Sequence, residues 1–251
     1  MWFGNTGIKS SLDVAKSVPV VRKFISGPNS WCGQRVALTH PLPALWMRFR
    51  STHPSLLAFH WKEWMFPVAA YTRKLKGNMR IERRNDIRDA DFGPLWDRLL
   101  AANHGLISSR STEDLRWMYE SRLKTGRVVL LVLIEDETSV GYIVLRGKDS
   151  AGKCWAVLDL VAENNDRDRL SILMREAVRF LRKMTPAMEL SIAGFPSWVQ
   201  PIIAKVFRYN VKREHNSSAF ALYDLEQENI LRCVDATDGW FAGPADGDAW
   251  L

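Results

Sequence analysis

Arg127 to Ile134 reads RVVLLVLI, and Trp155 to Val161 reads WAVLDLV. The first run is almost wholly aliphatic and β-branched, which suits a strand covered on both faces rather than one wetted on one side. Glu135 to Ser139 is a polar connection, and Val140-Gly141-Tyr142-Ile143-Val144-Leu145-Arg146 returns as the second arm of a hairpin. WAVLDLV makes a third central strand. Asp159 is the odd residue in it: a hydrogen bond to neighbouring backbone accounts for a carboxylate there as well as a role in proton transfer does.

Upstream of these strands, Asn78 to Arg83 alternates apolar and charged residues and reads as a first strand. Asp89-Ala90-Asp91 precedes Phe92, Leu95, Trp96, Leu99 and Leu100 at helical spacing, and Gly105 is a stop. Ser111-Thr112-Glu113-Asp114 opens another helix with an apolar face of Leu115, Met118, Tyr119 and Leu123, closed by Gly126. Downstream, Arg169 to Met184 is an amphipathic helix stopped before Pro186. Met188 to Ile192 then reads as a strand, Pro196 to Val206 as a helix, and Asn210 to Tyr223 as a closing pair of strands. Trp96, Trp117 and Trp155 are assigned to the core on the same periodicity.

The flanks differ in character. Residues 1–77 carry 11 Lys/Arg against 2 Asp/Glu, whereas residues 226–251 carry 1 against 6, so the formal net charge of +7 conceals a gradient. A basic head attracts either the acidic tail or an anionic partner. Residues 41–77 set Pro41, Pro43, Pro54 and Pro67 among Trp46, Phe49, Phe59, Trp61, Trp64, Phe66 and Tyr71, which permits only short helical pieces. Trp61 and Trp64 beside Lys62 form a candidate membrane-interface element, or the filling of a small appendage. Cys32, Cys154 and Cys233 are odd in number and far apart, which suits a reducing cytoplasm and excludes a disulfide framework. His40, His53 and His60 lack metal-ligand spacing. No metal and no nucleic acid are expected.

The element order is therefore β-α-α-β-β-β-α-β-α-β-β, with a long hairpin before the strand that feeds the central helix. That order resembles the GNAT (N-acetyltransferase-like) superfamily over roughly 150 residues. Val140-Gly141-Tyr142-Ile143-Val144 looks like its third strand. Leu115-Arg116-Trp117 and the acidic Asp246-Gly247-Asp248 after Trp240 are similar to parts of bacterial tandem GNAT proteins, in particular their C-terminal half. The resemblance implies a mixed, mainly antiparallel α/β sheet with helices on both faces, plus an N-terminal Pro- and Trp-rich segment. The expected division is 1–77 as a basic aromatic segment, either a remnant of a second GNAT half or a helical appendage, 78–225 as the GNAT-like domain, and 226–251 as an acidic tail.

The resemblance also implies transfer of an acyl group from acetyl-CoA or another acyl-CoA to an amine acceptor. The cofactor's pyrophosphate would sit in the turn before the central helix, where glycines usually let backbone N–H groups close on the phosphates. Here that turn is Ala162-Glu163-Asn164-Asn165-Asp166-Arg167-Asp168-Arg169, which has no glycine. Asn164 and Asn165 are the residues able to supply positive φ, and Arg167 and Arg169 the ones able to attract the anion. Asp166 or Asp168 is instead placed to cap the helix. Val161 is the implied donor of an oxyanion-stabilising N–H. Glu163 is the nearest candidate base, with Asp159 and His104 as others.

The tyrosine that would protonate the leaving thiolate is missing: its position falls on Ala204, and the residues that usually precede it fall on Ser197 and Gln200. Tyr209 is a phenol nearby, in the place of a core-packing aromatic. The rival expectation is a non-catalytic GNAT-fold domain that binds or scaffolds through a degenerate cofactor site. A homodimer, and peripheral contact of a cytoplasmic protein with anionic membrane, are the further partners considered.

Overall fold

The computed structural model describes residues 2–6, 21–26, 35–39, 71–102, 109–148, 152–183, 187, 189–193, 195, 197–210 and 219–223. The aromatic run 41–70, His104 and the acidic tail lie outside these residues. The strands are β1 (Trp2–Thr6), β2 (Val21–Ser26), β3 (Arg35–Leu38), β4 (Thr72–Lys74), β5 (Met79–Arg84), β6 (Val128–Glu135), β7 (Thr138–Gly147), β8 (Cys154–Ala162), β9 (Glu189–Ile192), β10 (Tyr209–Asn210) and β11 (Ala219–Tyr223). The helices are α1 (Asp89–Ala102), α2 (Thr112–Lys124), α3 (Arg167–Lys183) and α4 (Gln200–Val206).

Eight strands form one sheet in the order β10-β3-β9-β8-β7-β6-β5-β4. Every neighbouring pair is antiparallel except β8 and β9. From β5 onward the chain follows the expected element order, and the sheet carries helices on both faces. In β6 the period-2 alternation sorts the side chains cleanly. Val129, Leu131 and Leu133 pack towards α3 and α4 with Leu170, Leu173, Ala177, Leu181 and Ile203. Val128, Leu130, Val132 and Ile134 pack towards α1 and α2 with Phe92, Leu95, Leu115 and Tyr119. Burial on both faces is why RVVLLVLI has no polar alternation.

Three features depart from the expectations. β3 and β4, from the first 77 residues, belong to this sheet: β3 pairs with β9 and β10, and β4 with β5. The two closing strands do not pair with one another; β10 lies beside β3, while β11 joins β1 and β2 in a separate three-stranded sheet. Of the three tryptophans assigned to the core, Trp155 is buried and Trp96 partly so, but Trp117 is 86% exposed. At 3.6 residues per turn Trp117 lies about 200° round α2 from Leu115, on the side away from the buried face.

Two local features set the geometry beside α3. The β7–β8 register shifts so that Val144 faces Asp159 and Leu145 faces Val157, leaving Leu158 as the bulged residue. Gly141 faces Ala162, and a Cβ at Gly141 would stand 2.7 Å from the Val161 carbonyl oxygen and 3.2 Å from Leu173. Only glycine lets β7, the end of β8 and α3 approach this closely.

Candidate functional site

β8 leads into a single 3-10 turn, Glu163–Asn165, and then α3. Asn164 and Asn165 both take positive φ, 55° and 52°, the backbone conformation anticipated for a turn without glycine. Both side chains are exposed, as is Arg167. Asp166 caps α3: its Oδ1 accepts from the backbone N–H of Asp168 at 2.8 Å and of Arg169 at 3.0 Å. These are amides that an incoming diphosphate would use at this helix end, and a carboxylate already holds them.

Glu163 and Arg169 meet in an ion-pair chain. Arg98, from α1, places Nε 2.8 Å from Glu163 Oε1, and Arg169 places Nη1 3.1 Å from Oε2. Arg169 Nη2 then reaches Glu135 Oε2, at the end of β6, at 2.5 Å. Arg98 also donates from Nη2 to the Ser139 carbonyl at 2.6 Å. Both oxygens of the candidate base are thus engaged by guanidinium groups, and the candidate phosphate-binding arginine is engaged by two carboxylates. Arg98 escaped the sequence reading because its partner is far along the chain, on another element.

Val161 is buried on the α1/α2 side of the sheet, facing Tyr142 across the β7–β8 ladder. Tyr209 lies in β10, which β9 and β3 separate from β8. Ala204 sits within α4. The structure therefore gathers Val161, Glu163, Asn164, Asn165, Arg167 and Arg169 at the β8–α3 junction and leaves Tyr209 three strands away.

A second polar cluster lies beneath the bulge. Asp159, fully buried, receives Arg110 Nε at 2.8 Å and the Tyr142 hydroxyl at 2.9 Å on Oδ2. Its Oδ1 receives the Leu160 N–H at 3.1 Å and Arg110 Nη2 at 3.4 Å. Arg110 is only 2% exposed and immediately precedes Ser111, whose hydroxyl caps α2 by accepting from the Asp114 N–H. The backbone hydrogen bond anticipated for Asp159 is present; the buried arginine was not anticipated. Its only signal was a carboxylate inside WAVLDLV, which demands a partner.

Burial, and then the neighbouring Asp159 charge, push the Tyr142 phenol well above its ordinary range; burial and Glu176 also push Tyr71 up. Folded protein thus keeps protons that the unfolded chain loses above pH ~10, so stability should fall as pH rises past that point. Each tyrosine contributes a slope of up to about 1.4 kcal/mol per pH unit. Urea titrations between pH 8 and 11 should show a shallower alkaline loss in Tyr142→Phe than in the parent.

The sheet order, with helices on both faces, is that of a mixed and mainly antiparallel α/β domain, and solved structures similar to the chain include proteins described as acetyltransferases. A probable acetyltransferase is 20% identical, with a TM-score of 0.41, over 54% of this chain and 94% of its own. A predicted acetyltransferase from Clostridium acetobutylicum, solved with acetyl-CoA, is 14% identical with a TM-score of 0.37, over 55% and 94%. A conserved protein of unknown function from Bacteroides thetaiotaomicron is 11% identical with a TM-score of 0.42, over 87% and 68%. No family model and no curated protein matches the chain. Among the described residues, no helix is long and apolar enough to cross a membrane.

Proposed function

We propose that this chain is an acyltransferase-like GNAT-fold domain that binds or scaffolds rather than transferring acyl groups from acyl-CoA. One observation carries the reading: the Asp166 carboxylate holds the Asp168 and Arg169 amides at the N-terminus of α3. The residues of this turn do not fit a diphosphate. To enter, one would have to displace Asp166 and face the charges of Glu163 and Asp168, with Arg169 already committed to two carboxylates. Ala204 at the position implied for the acid tyrosine points the same way.

A second reading, acyl transfer from acyl-CoA to an amine, is favoured by the end of β8. The parallel pairing with β9 covers only Cys154–Ala156, whereas β8 runs on to Ala162. That leaves a length of strand without β9 beside it, where an extended acyl arm has backbone to bond. Calorimetric titration of the full chain with acetyl-CoA and longer acyl-CoAs separates the two. Binding or scaffolding predicts no saturable heat at millimolar ligand. A micromolar Kd would overturn it in favour of acyl transfer.

A further inference from the structure

We infer that the chain's own carboxylates occupy the anion positions at the N-terminus of α3, plugging the turn from within. This deepens the reading above and rests on the same junction. α3 is 17 residues long, so its first turn carries a substantial positive potential. Two guanidinium groups, from α1 and α3, converge on opposite oxygens of one carboxylate, Glu163. A second carboxylate, Asp166, takes two of the helix's leading amides. Paired guanidinium groups beside a helix N-terminus are what a multiply charged oxyanion would require. Here Glu163 and Asp166 supply that negative charge intramolecularly.

Several contacts fix the plug. Arg98 is tied to the Ser139 carbonyl and Arg169 to Glu135, so both cations are held from behind. Positive φ at Asn164 and Asn165 turns the chain between Glu163 and the α3 cap at Asp166. Nothing in this arrangement needs an external anion to neutralise it, which distinguishes it from a phosphate site that has merely lost its glycines.

The test removes the plug's charge while keeping its shape. Glu163→Gln preserves the side-chain length, and Asp166→Ser preserves a neutral helix cap. Inorganic pyrophosphate is titrated calorimetrically into the full chain, each single variant and the double variant, with thermal melts confirming folding. The parent should give no saturable heat. The double variant should bind at least about tenfold more tightly than the parent, and weaken as salt rises. If Glu163→Gln unfolds the chain, Asp166→Ser alone should still gain about threefold.

Pyrophosphate binding by the parent as tight as by the double variant would overturn the inference, and so would folded variants that gain nothing. Acetyl-CoA bound by the parent with an affinity neither substitution changes would place that ligand away from the turn. That outcome would overturn the functional reading and agree with the plug.

Discussion

Arg110→Ala should cost the domain about 3–5 kcal/mol in urea denaturation, the loss expected when one partner of a buried ion pair is removed. Arg110 and Asp159 are both fully enclosed, and the substitution leaves a carboxylate in the core with the Tyr142 hydroxyl and the Leu160 amide still pointing at it. The penalty comes from that stranded charge more than from the lost attraction. The double variant Arg110→Met with Asp159→Asn should therefore lose less than Arg110→Ala alone, since asparagine is uncharged, its oxygen can accept from the Leu160 amide and its NH2 can donate to the Tyr142 hydroxyl oxygen. A loss below about 1 kcal/mol for the single variant would show that Asp159 finds water or another cation, and that the cluster is not closed.

Two tryptophans should behave oppositely. Trp155→Ala is expected to cost about 3–5 kcal/mol, as truncation of a large core aromatic does. Trp155 is buried on β8 where the sheet changes from antiparallel to parallel, facing Gly147 on one side and Leu190 on the other. Its indole N–H donates to the Gly152 carbonyl at 2.8 Å, so the truncation also leaves that acceptor without the bond. Trp117→Ala should change stability by no more than about 0.5 kcal/mol, because its side chain lies in solvent. Thermal or urea unfolding of both variants checks the pair. Equal losses would contradict the placement of α2.

The contrast shows what the sequence could convey. β6 and β8 were legible because burial on both faces leaves an uninterrupted apolar run, and α3 because its apolar residues recur on one face. Trp117 was misassigned because bulk stood in for geometry: its angular position on α2 is opposite Leu115 and Tyr119, and the pattern already contained that fact. β3 and β4 were not legible. Arg-Val-Ala-Leu and Thr-Arg-Lys are too short for alternation, and only pairing with distant β9, β10 and β5 makes them strands.

The β8–α3 turn was half legible. Missing glycines, asparagines suited to positive φ and an aspartate able to cap are local properties, and the structure contains each. The pairing of Arg98 with Glu163 and of Arg169 with Glu135 depends on how α1 and the β6–β7 hairpin fold back to the turn, which no local pattern specifies. The same holds for Arg110. Asp159 announced that a partner was needed, but not which residue would cross from the start of α2 to meet it.

On the function proposed above, the α3 N-terminus is occupied by the chain's own carboxylates and takes no diphosphate. Backbone amide chemical shifts of residues 167–170, followed by NMR while CoA is added to millimolar concentration, report on that occupancy at the amides themselves. The Asp168 and Arg169 amides, held by Asp166, should not move. Saturable shifts in those two amides would contradict it, because they would mean that a phosphate oxygen had taken the place of the Asp166 carboxylate.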